Sequence, residues 1–117
     1  MDGTDCAAGL AQTTALAPLR AGMAQALVAH VYGVELEDMR ALTRRQPRAA
    51  LARQIAMYLS HTVLGMSVSQ VAEAFGRDRS TACYALRHVE DLRDDPELDR
   101  TLLFLETLLR GAVRGAA

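Results

Sequence analysis

Lysine and tryptophan are absent from the 117 residues, and other scarcities narrow the chemistry further. The aromatic side chains are few: Tyr32, Tyr58, Phe75, Tyr84 and Phe104. A core must therefore be built from Ala, Leu, Val and Met, a mix that favours helices over strands. The two cysteines, Cys6 and Cys83, stand alone. Neither has zinc-ligand spacing, and a single pair makes no secreted disulfide framework. The N-terminus lacks a basic stretch followed by an apolar core, so no signal peptide is expected. No apolar run approaches the roughly 20 residues needed to cross a bilayer. These exclusions predict a soluble cytoplasmic protein with no membrane partner. His30, His61 and His88 are far apart, at no metal-ligand spacing, and are expected to be surface or hydrogen-bonded histidines. No Ser-His-Asp or paired-carboxylate spacing appears, so neither an enzyme, a cofactor nor a small-molecule substrate is expected.

What is present is arginine, and it is unevenly placed. All thirteen basic residues are Arg, against fourteen acids, for a net charge of -1. Between Thr43 and Arg93 eight arginines face four acids, a balance of +4, while the rest carries five against ten. Codon bias alone accounts for an absence of lysine. The segregation of sign is a separate observation. An Arg fork binds phosphate or a guanine edge bidentately, which an ammonium cannot do.

The length suits one domain. Residues 1–17 show no stable period and read as a flexible N-terminal tail, with the folded domain over 18–117. From Pro18 to Tyr32 the apolar residues Leu19, Met23, Ala26, Leu27 and Val31 recur at three or four, predicting an amphipathic helix that Gly33 ends. A short helix over Glu35–Leu42 follows, then an Arg-rich linker from Thr43 to Arg48 whose Pro47 bars a continuous helix. A long helix is predicted over Ala49–Leu64, with Leu51, Ile55, Tyr58 and Leu59 inward and Gly65 as its stop. Ser67-Val68-Ser69-Gln70 fits a capping box. The short helix it opens ends at Gly76. Asp78 or Ser80 then caps another helix running to about Arg93, and a last one starts after Asp95 with Leu98, Leu102, Leu105 and Leu109 as its stripe. The chain is thus expected to be an all-α, compact bundle of about six helices.

Val68–Val89 is the most informative stretch. A short helix, a tight turn at Gly76 and a longer helix form a helix-turn-helix. Val71 and Phe75 share one face, Ala72 is small where the helices approach, and Gly76 can take a positive φ. Ala82, Ala85 and Leu86 anchor the second helix from behind. Its front keeps Arg77, Asp78, Arg79, Ser80, Cys83, Tyr84 and Arg87, polar at the N-terminal end where a recognition helix meets DNA. Arg79 suits the O6 and N7 acceptors of guanine. Asp78 either accepts from a base amino group or caps the helix. Ser80 and Thr81 suit phosphate or a thymine methyl.

Val28–Leu92 resembles the C-terminal DNA-binding helix-turn-helix domain of the bacterial replication initiator DnaA. The matches are Arg53-Gln54-Ile55-Ala56-Met57-Tyr58-Leu59, Ala74-Phe75-Gly76-Arg77-Asp78-Arg79-Ser80-Thr81 and Val28-Ala29-His30-Val31-Tyr32-Gly33-Val34. The resemblance implies that Arg45, with Arg44 beside it, enters the minor groove. It implies that Arg53 and Gln54 hold phosphates and that Asp78, Arg79, Ser80 and Thr81 read bases in the major groove. Beside these, Arg48 and Arg77 are expected to hold phosphates, and Arg87, on the polar front of the same helix, to read bases. This chain departs from the family in its single turn glycine, in Arg79 where the family has His, in Ala52 where it has Pro, and in His61 where it has a basic residue. No phosphate loop of the Gly-x-x-x-x-Gly-Lys-Ser/Thr kind is present, so the chain is not expected to be an ATP-driven initiator by itself. Free-standing domains of this kind also resemble the DNA-binding half of gene-transfer-agent activation factors and phage-like regulators, which act with a polymerase-binding partner.

The functional expectation is a sequence-specific binder of double-stranded DNA, cytoplasmic and nucleoid-associated, that regulates transcription as an activator with a protein partner. Two alternatives stand beside it: a replication modulator at initiator-like origin sites, and a protein-interaction module. Leu103, Phe104 and Leu108 lie off the stripe of the last helix. They are either further core or the partner contact.

Overall fold

The computed structural model describes the backbone of residues 3–41 and 47–116 and the side-chain surroundings of 17–41 and 47–115. Arg44 and Arg45 lie outside the described residues. Among the described residues the fold is all-helical: α1 (Gly3–Tyr32), α2 (Leu36–Arg40), α3 (Pro47–Thr62), α4 (Val68–Ala74), α5 (Arg79–Leu92) and α6 (Pro96–Ala116). No helix among them is long and apolar enough to cross a membrane.

Helix α3 is the axis of the bundle. Pro47 occupies its first position, where the missing N–H costs nothing and the fixed φ suits a helix start. From there Ala49, Ala52, Ile55, Ala56, Met57, Tyr58, Leu59 and Ser60 are all buried. Burial therefore wraps nearly the whole circumference, because α1, α2, α4 and α5 all pack against it. Ser60, fully buried, satisfies its hydroxyl by donating to the Ala56 carbonyl at 2.8 Å, the usual solution for a serine inside a helix.

Helix α1 differs from the expectation in extent and in face. It begins at Gly3 and runs through Pro18, over a stretch in which alanine and other helix formers outweigh the missing amide of one proline. Its buried face is Ala17, Ala21, Ala24, Val28 and Ala29, whereas Leu19 is 66% exposed and Val31 37%. Of the larger apolar residues at helical spacing, Leu19 and Val31 lie on the outer side, while Met23 and Leu27 are half-buried against the core. The reason is closeness. The α1–α3 contact is the largest in the fold, and α3 offers Ala49, Ala52 and Ala56, so only side chains near alanine in size let two helices meet this tightly. At the end of α1, Gly33 at φ +64° lets the Val34 amide donate back to the Ala29 carbonyl at 2.9 Å, a Schellman closure.

Helix α6 is tied down by one arginine. Its inner face is Leu102, Leu105 and Leu109, all buried. Arg93, at the end of α5, donates to Asp99 at 2.6 Å, to Glu106 at 3.2 Å and to the Tyr58 hydroxyl at 3.1 Å. Its guanidinium also lies 5.9 Å from the centre of the Tyr58 ring, within cation–π range. Burial pulls the Arg93 pKa down, but the bonds to Glu106, Tyr58 and Asp99 outweigh it and hold the pKa above the usual value. Tyr58 donates to Glu90. Its burial, then that bond, push its phenol upward. Helices α3, α5 and α6 thus share one charged node, and the nearly buried Glu106 is its inner anchor.

Two outcomes test this packing. Ala24→Leu should lose about 1–3 kcal/mol through overpacking, while Leu19→Ala on the outer face should stay within about 0.5 kcal/mol of the parent; urea denaturation measures both. Glu106→Ala leaves Arg93 short of its inner partner and should lose about 3 kcal/mol, and Glu106→Leu paired with Arg93→Met should recover much of it.

Candidate nucleic-acid interface

The site begins with the capping of α4. Ser67 Oγ accepts from the Gln70 amide at 3.1 Å, and the Ser67 amide donates to Gln70 Oε1 at 2.9 Å, a complete capping box. Val71 and Ala72 seat this helix on the core. At its end Gly76 takes φ +63°, and the Arg77 amide returns to the Ala72 carbonyl at 2.9 Å. A Cβ at Gly76 would meet no atom within 4 Å, so the demand for glycine here is backbone conformation, not space. Asp78 then caps α5, its Oδ1 accepting from the Thr81 amide at 2.7 Å and from the Ser80 hydroxyl at 2.9 Å. The Thr81 amide first, then the Thr81 and Ser80 hydroxyls, hold the Asp78 carboxyl below its ordinary pKa. Of the two roles open to Asp78, capping is the one the geometry displays.

Ala82, Ala85 and Val89 bury the back of α5. Its front is free: Arg79, Ser80, Thr81, Tyr84 and Arg87 are exposed, and Cys83 is half-buried among them. Arg79, Ser80, Cys83, Tyr84 and Arg87 line one shallow concavity, as positions one, four and eight residues apart on one helix must. Tyr84 stacks on His88, ring centres 5.5 Å apart and 11° from parallel, which fixes the ring's direction.

A second concavity joins α5 to the start of α3. Pro47, Ala50, Arg53 and Gln54 line it from α3; Arg77, Asp78, Ser80, Thr81 and Tyr84 line it from the turn and α5. Arg53, Gln54 and Arg77, proposed for phosphate, therefore share one groove with Asp78, Ser80 and Thr81, while Arg79 and Arg87 line the neighbouring hollow and Ser80 and Tyr84 border both. Arg48 is exposed at the second position of α3.

Arg53 and Arg77 also have a role that local sequence reasoning missed. Arg53 donates from Nε to the Met39 carbonyl and from Nη2 to the carbonyls of Asp38 (3.2 Å) and Ala41 (2.9 Å). Arg77 donates from Nη2 to the same Ala41 carbonyl at 2.8 Å. The carbonyls at the end of α2 carry its negative dipole end; that of Asp38 also accepts the Ala41 amide at 3.3 Å. Two guanidinium groups supply the donors. Their crowding has a cost: burial, then the nearby charge of Arg77, lowers the Arg53 pKa, and the buried Nε of Arg77 has no hydrogen-bond partner among the described residues. The tie spans 36 residues of sequence between Arg77 and Ala41, so no local pattern announces it. It fixes the residue from which the Arg44-Arg45 linker departs relative to the turn before α5.

On α6, Leu103 is 51% exposed, Phe104 55% and Leu108 39%. The core alternative for these three is therefore set aside, while Leu102, Leu105 and Leu109 form the inner stripe as expected.

Replacing Arg53 by Met should cost about 1.5–3 kcal/mol in urea denaturation, because its hydrogen bonds are charge-assisted. Arg53→Lys should recover only part, since an ammonium cannot span three carbonyls as a fork does.

Comparison with known proteins agrees with this geometry. The family model described as bacterial dnaA protein helix-turn-helix matches residues 23–89. The chromosomal replication initiator protein DnaA of Bordetella pertussis is 38% identical over 89 residues, covering 74% of this chain and 19% of that protein. The DnaA of Anaplasma marginale is 36% identical over 91 residues, covering 76% of this chain and 19% of its own length. The chain thus spans about a fifth of the curated relatives it matches. Among solved structures, a crystal structure of a DNA replication initiation factor superposes with a TM-score of 0.78 at 30% identity, over 89% of this chain and 32% of that one. A replication initiator DnaA bound to AMPPCP and single-stranded DNA gives 0.74 at 30% identity, over 88% and 31%. The chain belongs to the bacterial DnaA helix-turn-helix family, whose fold is a DNA-binding module rather than a catalytic one.

Proposed function

We propose that this chain binds double-stranded DNA sequence-specifically, with α5 in the major groove, and regulates transcription together with a protein partner. The observation that carries the DNA reading is the free front of α5, where Arg79, Ser80, Thr81 and Arg87 are exposed beside the groove lined by Arg53 and Gln54. Arg79 takes a guanine edge. Thr81 and Ser80 take phosphate or a thymine methyl, Ser80 by turning away from Asp78. Arg48 and Gln54 meet the backbone, as do the Nη1 groups of Arg53 and Arg77. Arg44 and Arg45 enter the minor groove, their linker anchored at Ala41. The partner engages the exposed side of α6.

A second reading is favoured by the relatives, which are replication initiators: the chain occupies initiator-type sites and modulates replication. Arg79, where that family carries His, supports a related but different target sequence. Genome-wide occupancy mapping separates the two, through promoters or through an origin.

Arg79→Ala should cost about 1–3 kcal/mol and relax preference at one base pair. Arg48→Ala should weaken binding to all duplexes alike and flatten the slope of log affinity against log salt by about one unit. Fluorescence anisotropy over a set of singly substituted duplexes at several salt concentrations reads both. An affinity indifferent to Arg79 on every duplex sinks the DNA reading.

A further inference from the structure

The outer side of α6 combines two features that the sequence alone does not separate. Its residues include three acids, Glu97, Asp99 and Glu106, and three arginines, Arg100, Arg110 and Arg114, which look balanced. In the fold they are not. Glu106 is buried and Asp99 half-exposed, and both pair with Arg93, so that among the described residues of α6 only Glu97, in the first turn, is an exposed carboxylate without an ion pair. Arg100, Arg110 and Arg114 are all exposed, and none forms an ion pair among the described residues. Among the described residues from Arg100 onward, the open face therefore has three cations and no carboxylate side chain.

The same face is apolar along one side. At 100° per residue, Arg100, Leu103, Thr107, Arg110 and Arg114 follow one line, and Phe104, Leu108 and Gly111 the line beside it. Phe104 and Leu108, four residues apart, stand at the spacing that takes the anchors of a single docked helix. Gly111 continues that line, and a Cβ there would meet no atom within 4 Å. A bare phosphate backbone has no use for an exposed Phe and two Leu, and an antiparallel second copy would bring the arginine lines of the two helices together.

We propose that the outer face of α6 is the docking site for an acidic amphipathic helix of another protein, its apolar side on Phe104 and Leu108 and its carboxylates on Arg100, Arg110 and Arg114. This rests on the reading that α6 engages a partner and supplies that partner's chemistry. It does not depend on which DNA sequence α5 reads.

The probe is a designed helical peptide of about five turns carrying Leu at i, i+4 and i+7, flanked by Glu. Isothermal titration of the full chain should show one site. Phe104→Ala should weaken it about 30-fold, as loss of an aromatic anchor does, and Arg110→Glu with Arg114→Glu should weaken it at least tenfold. A peptide with Lys for each Glu should not bind. Since Phe104, Arg110 and Arg114 are exposed, circular dichroism should show the same helix content and melting in the variants. No binding by the acidic peptide, equal binding by the lysine peptide, or Phe104-dependent capture by phosphatidylserine vesicles in its place each overturns the proposal. Anisotropy on duplex DNA, run alongside, keeps a failure of α6 distinct from a failure of α5.

Discussion

Burial of α3 on nearly all sides sets where every other helix can lie. A helix that hides Ala49, Ala52, Ile55, Ala56, Met57, Tyr58, Leu59 and Ser60 has neighbours all round, and α1, α2, α4 and α5 take those places. The alanines bring α1 close, and the small inner face of α1 follows from that closeness. Tyr58 sends its hydroxyl to Glu90 and receives Arg93, which sets the end of α5 and, through Asp99 and Glu106, the seating of α6. Arg53, on the same helix, collects the carbonyls at the end of α2. The front of α5 is open because its back, Ala82, Ala85 and Val89, is used up on the core.

Charge in this protein is decided by direction more than by number. The eight arginines between Thr43 and Arg93 suggested a basic surface. Three of them, Arg53, Arg77 and Arg93, hydrogen-bond to protein groups, and Arg48, Arg79 and Arg87 remain exposed. The polyanion argument from charge counting thus narrows to fewer, better placed cations around one groove. The converse holds on α6, where carboxylates paired with Arg93 leave a nominally balanced helix with a basic outer face. A guanidinium can do either job because its planar fork suits carbonyl and carboxylate oxygens as well as phosphate.

The link between Arg77 and Ala41 joins local and distant structure. Arg77 sits in the turn before α5, and Ala41 precedes the linker that carries Arg44 and Arg45. Holding one to the other relates the start of the recognition helix to the departure point of that linker. Among the described residues the buried Nε of Arg77 has no partner, and burial beside the charge of Arg77 lowers the Arg53 pKa.

The sequence by itself determined the helical class, the helix-turn-helix, the capping box at Ser67 and the turn at Gly76, and it narrowed the cap of α5 to Asp78 or Ser80. Each is a short-range decision: spacing of apolar residues, a hydroxyl three residues from an amide, a backbone angle only glycine takes freely. It also carried the family resemblance, because Arg53-Gln54 and Arg77-Asp78-Arg79-Ser80-Thr81 stand in order at the right spacing. Only the tertiary structure decided which face of α1 is inside, since that depends on how closely α3 approaches and not on which residues are most apolar. Only the tertiary structure sent Arg53, Arg77 and Arg93 inward and left Leu103, Phe104 and Leu108 outside, because a side chain's partners across 15 or 36 residues are settled by where the helices meet.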